Sequence, residues 1–274
     1  LMGAAGPEYV PVYDTSLYFA DLLPEHAHRG VARLIEELDE GLKAGHRHFK
    51  MKVGRGARWM EAEEGLARDI EVVRALTDHA GPGYTFMADA NDQYGVETTK
   101  RFLGAVGDQL AFAEEMFPED TDRCRAMRDW IAAQGLSTKL ADGESEHDPA
   151  KHAGYARSGA LDVLQPDIRA LGLTLQCALS NGIADLPQVQ IAAHNWGSYL
   201  GTFKMLQLGR GIPNFLIAEL DRSYSDLFDD SEWELREGAM RVPDSPGCGL
   251  RFSEAVFQER YLPQAWSVGA IPQR

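Results

Sequence analysis

The stretch "HFKMKVG", residues 48–54, has the look of a buried strand, yet it carries two lysines. Side chains alternate across a strand. Phe49, Met51 and Val53 therefore face one way, and Lys50 and Lys52 face the other. The lysine face meets either water or an interior that has a use for charge. Which of the two holds depends on the sheet that this strand joins.

Outward from residues 48–54, one unit repeats along the chain. Short apolar runs at 10–17, 48–54, 84–91, 110–117, 136–144, 161–167, 189–196 and 214–220 read as strands. Helix-like stretches separate them. Residues 25–44 place Val31, Leu34, Ile35, Leu38 and Leu42 at helical spacing, and residues 60–79 place Leu66, Ile70, Val73 and Leu76 so before stopping at "GPG". Strands alternating with helices imply a parallel sheet with right-handed crossovers, and eight such units predict a closed (β/α)8 barrel of the TIM type. The catalytic barrel is expected over residues 1–221. Residues 222–274 read as a C-terminal appendage with a hairpin around Glu237-Gly238.

A chain of 274 residues with 44% hydrophobic content can bury a sizeable core. Its formal net charge of -15 argues against nucleic acid and anionic membrane as partners. No apolar run is long enough to span a bilayer. The three cysteines, Cys124, Cys177 and Cys248, show neither zinc spacing nor a disulfide framework, which predicts a reducing cytoplasm. The first residue is Leu1, and the opening stretch lacks the basic region of a signal peptide, so the chain is expected to begin part-way through a longer protein.

In a barrel both strand faces are covered. Two lysines turned toward the helices would bury charge in an apolar layer at several kcal/mol each. Turned inward near the C-terminal strand ends, they can face a polar site. The other strands end in ionisable groups at the same level: Asp89 with Asn91, Glu114 with Glu115, Asp142 with Glu144, then Asp167, His194 and Glu219. Any one of these alone reads as a solvated loop acid or a helix cap. Together, each following an apolar run at the same point, they point to a site. Carboxylates ending strands three, four and five can converge on a hard divalent cation, and a set of oxygen donors without soft ligands suits Mg2+ better than zinc.

The pieces "KMK", "DAN", "EE", "GE", "PD", "HNWGS" and "AELD", in that order on strands two to eight, resemble the enolase superfamily, mandelate racemase subgroup. Each piece is short; their order is what is specific. The resemblance implies metal ligands at Asp89, Glu114 and Glu144. It implies a base at Lys52 and a second acid/base at His194 held by Asp167. Lys50, Asn91 and Glu219 fall where substrate carboxylate is bound. It also implies an N-terminal α+β capping domain, absent from this chain, against which the C-terminal segment would pack, and a homo-oligomer.

The chemistry is coherent. Removing a proton α to a carboxylate gives an enediolate, whose oxygens are stabilised by a divalent cation and an ammonium group. Lys52 must be neutral to accept a proton, and Lys50 is expected to lower its pKa. Asp167 would fix the tautomer of His194. The expected activity is Mg2+-dependent dehydration of an acid sugar or hydroxy acid. Racemisation or epimerisation by the same first step is the alternative, and a non-catalytic barrel fragment or binding protein is a third reading.

Overall fold

The computed structural model describes residues 6–266. Eight strands alternate with seven helices. In chain order they are β1 (Tyr9–Leu17), α1 (Val31–Ala44), β2 (His48–Lys52), α2 (Ala62–Ala80), β3 (Thr85–Asp89), α3 (Val96–Val106), β4 (Leu110–Glu114) and α4 (Thr121–Ala133). The series continues with β5 (Lys139–Asp142), α5 (Pro149–Ser158), β6 (Val163–Leu164), α6 (Gly172–Gly182), β7 (Gln190–Ile191), α7 (Tyr199–Gly211) and β8 (Ala218–Leu220).

The helices form where apolar residues recur at helical spacing. In α1, Val31, Leu34, Leu38 and Gly41 are buried, and Gly45 in the left-handed region ends the helix. The expected start at residue 25 moves to Val31, because Gly30 has a φ of 53°, which helical backbone does not allow. Asp120 and Asp148 cap α4 and α5, each accepting a backbone N–H.

Strands β1 to β7 pair in parallel in sequence order, and β8 pairs with β1. Between β7 and the residues before β8, Ile191 donates to the Asn214 carbonyl and Leu216 donates to that of Ile191, both at 2.8 Å. The later strands are shorter than their apolar runs. Pro166 has no N–H for the ladder, so β6 ends at Leu164, and only an isolated bridge joins Asp167 to His194.

Two apolar layers flank the sheet. The larger lies between the strands and the helices. The smaller is a cluster of Tyr13, Met87, Phe112, Ala141, Val163, Ala192 and Ile217. Strand β2 adds nothing to it: the residue registered beside Met87 is Lys50. One step further, Lys52 sits beside Asp89, which sits beside Glu114. The lysines thus face the side opposite the helices.

The tail has β9 (Phe228–Asp229), β10 (Glu234–Arg236), β11 (Ala239–Arg241) and β12 (Arg251–Phe252). The hairpin β10–β11 turns at Glu237 and Gly238, both with positive φ, and β11 runs antiparallel to the start of β1. Strand β12 then returns to pair with β9. Among the described residues, no helix is long and apolar enough to cross a membrane.

Candidate active site

The C-terminal strand ends bring all nine residues named above into one region. Asp89, Glu114 and Glu144 offer carboxylate oxygens within 4.8 Å of one another. Burial pushes Glu114 up to about 8 and Glu144 up to about 7, against the opposing pull of Lys50 and His194 respectively. Two buried acids and the partly buried Glu144, all with hard oxygen donors close together, fit a divalent cation such as Mg2+. Both oxygens of Glu114 are held: Lys50 donates to one and the Gln165 amide to the other, each at 2.7 Å.

Lys50 is fully buried. Its ammonium lies 2.7 Å from Glu114, 3.0 Å from Glu219 and 3.3 Å from Asp89. Burial alone lowers its pKa, but these carboxylates raise it well above the ordinary lysine value. Lys52 donates to Asp89 and, at 2.6 Å, to the Asn91 amide oxygen. Burial, the largest influence, and Lys50 push Lys52 down, as expected, yet Asp89, Tyr18 and Glu114 together make the net shift upward. Asn91 is fixed in turn: its backbone N–H donates to Asp89 and its amide to Glu115. Asn91, Asp92 and Glu115 all have positive φ, so the chain turns sharply just beyond β3 and β4.

The Nδ1 of His194 lies 2.8 Å from Asp167 Oδ2, and its Nε2 lies 3.2 Å from Glu144. Burial lowers the imidazole pKa, but the Asp167 bond and nearby Glu219 and Glu144 raise it overall. Burial likewise raises Asp167, while hydrogen bonds from His194 and Arg169 hold it well below the usual carboxylate range. Glu219 accepts from the Asn195 backbone N–H at 3.0 Å, beside the histidine.

A cavity of about 340 Å³ opens over these groups, lined by Lys50, Lys52, Asn91, Glu144, His194 and Glu219. Tyr18, Arg169 and Trp196 complete its wall. The sequence reading passed over Tyr18, Arg169 and Gln165. It sought ionisable groups on the strand runs; Tyr18 and Arg169 follow those runs, and Gln165 is neutral. Gln165 shares a strand face with Asp167, and that alternation was a usable signal. Tyr94, an aromatic just beyond β3, is buried away from the cavity and donates to Asp69. Asp142, the rival to Glu144, belongs to a second group of acids with Asp92 and Glu119.

A family model described as Enolase C-terminal domain-like matches residues 33–256. A galacturonate dehydratase from Geobacillus sp., solved with D-galacturonate and 5-keto-4-deoxy-D-galacturonate, is 35% identical with a TM-score of 0.87, covering 93% of this chain and 68% of that one. A mandelate racemase/muconate lactonizing protein from Geobacillus sp. Y412MC10, solved with magnesium and tartrate, is 36% identical with a TM-score of 0.86, covering 93% and 66%. The D-galactarolactone cycloisomerase of Agrobacterium fabrum is 26% identical over 96% of this chain and 68% of its own. This chain spans about two thirds of the length of each of these relatives.

Proposed function

Since the chain belongs to the Enolase C-terminal domain-like family, we propose that it removes the proton α to the carboxylate of an acid sugar and expels the β-hydroxyl, a Mg2+-dependent dehydration. The observation that carries this reading is the convergence, in one cavity, of an oxygen triad, the lysine pair of β2 and the His194–Asp167 pair. Asp89, Glu114 and Glu144 hold the cation, which when bound stabilises negative charge on the substrate carboxylate.

The chain's own residues do the rest. Lys50, Asn91 and Glu219 form the floor that receives the carboxylate end. Lys52 takes the α-proton onto Nζ. His194 stands on another strand with Asp167 fixing its Nδ1–H, which leaves Nε2 facing the cavity. As imidazolium, His194 donates its Nε2 proton to the departing hydroxyl. Arg169 braces Asp167 with a 2.7 Å contact and donates to the Trp196 carbonyl, which keeps the pair oriented. The test is a panel of acid sugars, beginning with D-galacturonate, given to the full-length protein with Mg2+ while keto-acid formation is followed. No product from any member, with Mg2+ bound, would contradict the reading.

A second reading is isomerisation, by racemisation or epimerisation of a hydroxy acid. Two acid/base groups on different strands can remove a proton and return one to the other face, and one relative is a cycloisomerase. Exchange of the α-proton without keto-acid formation favours it. Bound Mg2+ without exchange on any acid favours a non-catalytic barrel.

We read the eight strands as a closed barrel, supported by the β8–β1 pairing and the two backbone bonds of Ile191. We read the tail as a surface for a capping domain. It returns to α7, whose first residue, Tyr199, packs on Tyr224 and Phe228, and it leaves Tyr224 and Phe252 largely exposed. A homo-oligomeric, cytoplasmic enzyme remains the expectation from its charge, cysteine content and family.

A further inference from the structure

Arg55 is completely buried, three residues past Lys52, and the reaction described above gives it no role. Its Nε and Nη2 donate to Asp21 at 3.1 and 2.7 Å, and its Nη1 donates to Asp69 at 2.7 Å. The same Nη1 lies 3.2 Å from the Lys52 carbonyl. The second oxygen of Asp69 accepts the backbone N–H of Gly54 at 2.8 Å, that of Arg55 at 3.1 Å and the Tyr94 hydroxyl at 2.6 Å.

A buried cation between two buried carboxylates is weak evidence for stability, because desolvation offsets most of the attraction. The directions of the bonds are more informative. They converge on the backbone of residues 52–55, the exit of the strand that carries the lysines. Gly54 has a φ of 100°, and a side chain there would meet Gln93 at 2.7 Å, so this exit has a single path. From the other side, Asp21 belongs to the loop after β1. In that loop Phe19 lies over the Arg55 guanidinium at 5.0 Å, and Tyr18 presents its ring 5.4 Å from the Lys52 ammonium. Tyr18 also packs on Trp196 at 5.0 Å across the cavity.

We infer that Arg55, clamped by Asp21 and Asp69, is a positioning residue that sets the reach of Lys52 and seats Tyr18 beside it. The inference rests on the proton-abstraction reading above. The planar guanidinium can hold Asp21, Asp69 and the Lys52 carbonyl in one plane, and a lysine at this position supplies only a point charge.

The test uses the full-length protein with Mg2+ and D-galacturonate in D2O, comparing Arg55→Lys and the milder Asp21→Asn with wild type. Melting and circular dichroism establish that each variant is folded; Asp21→Asn keeps the Arg55–Asp69 contact and serves if Arg55→Lys does not fold. The positioning role predicts a fall in kcat on the order of 100-fold for Arg55→Lys, as for a small displacement of a reacting group. KM should change little, and exchange of the α-proton, which begins with its removal by Lys52, should fall together with kcat. Wild-type kcat and exchange in a folded Arg55→Lys, or a loss that appears in KM and not in kcat, overturn the inference. A readout without turnover accompanies it: the Lys52 resonance in protein labelled with 13C-lysine, identified by its absence in Lys52→Met. That resonance should move in Arg55→Lys while that of Lys50 stays. If wild type exchanges with no acid sugar, the proposed reaction fails, and the resonance alone decides: a shifted Lys52 upholds the positioning role and an unmoved one overturns it.

Discussion

Asp142 and Glu144 are two residues apart, yet they belong to different groups of acids. Glu144→Gln should weaken Mg2+ binding by more than the roughly 10–100-fold that losing an outer partner costs, with little change in melting. Asp142→Asn should leave affinity close to wild type; calorimetric titration with Mg2+ compares the two. The histidine pair gives a pH prediction. Asp167 raises the pKa of His194, so the imidazolium persists to higher pH than in a free histidine. Asp167→Asn removes that support and lowers the pKa. The alkaline limb of activity, where the imidazolium is lost, should then move to lower pH, and NMR titration of the imidazole should move with it. For Lys52 the influences also oppose one another. Burial and Lys50 lower its pKa, and Asp89, Tyr18 and Glu114 together raise it overall. A divalent cation competing for Asp89 weakens the largest of the raising influences, so Lys52 should titrate lower with Mg2+ than without it, and lysine NMR can follow the change.

At the scale of elements, helix α2 has almost no clearance where it crosses the loop after β2. A methyl group on Gly65 would stand 2.1 Å from the Gly56 backbone nitrogen, whereas one on exposed Gly154 in α5 would meet nothing within 4 Å. Gly65→Ala should therefore destabilise by roughly 1–3 kcal/mol or more, and Gly154→Ala should stabilise by about 0.5–1 kcal/mol, both read by denaturant unfolding. The order and type of elements were legible because apolar periodicity changes cleanly from strand to helix along the chain. The strand ends were not. Residues beyond Glu114 and Leu164 look like continuing strand, but the positive φ of Glu115 and the missing N–H of Pro166 take them out of the ladder. The alternation of Lys50 and Lys52 fixed a shared face, and the register beside Met87 and Asp89 makes that face the interior one. Tyr18 and Asp21 meet Lys52 and Arg55 from the loop after β1, and Asp69 meets Arg55 from α2; sequence spacing carries no signal for such contacts, whereas Arg169 pairs with Asp167 only two residues away.

For the whole molecule, the backbone links between strands are uneven. Five consecutive residue pairs join β2 to β3, two join β5 to β6 and two join β6 to β7, while a single bridge, Ile191 with Phe215, continues beyond β7. Stability within a fold is not uniform, and regions with few such bonds open first. Slow breathing should thus begin along a seam through residues 163–164, 190–192 and 214–216. Hydrogen–deuterium exchange should label those amides well before 49–52 and 86–89, and equal rates in the two sectors would contradict this. Asp167 and His194 stand beside that seam, and the lysines stand on the strand that five pairs join to β3. The histidine and the lysines of one cavity should then live on different clocks: when the molecule opens locally, the histidine loses its register while the lysines keep theirs.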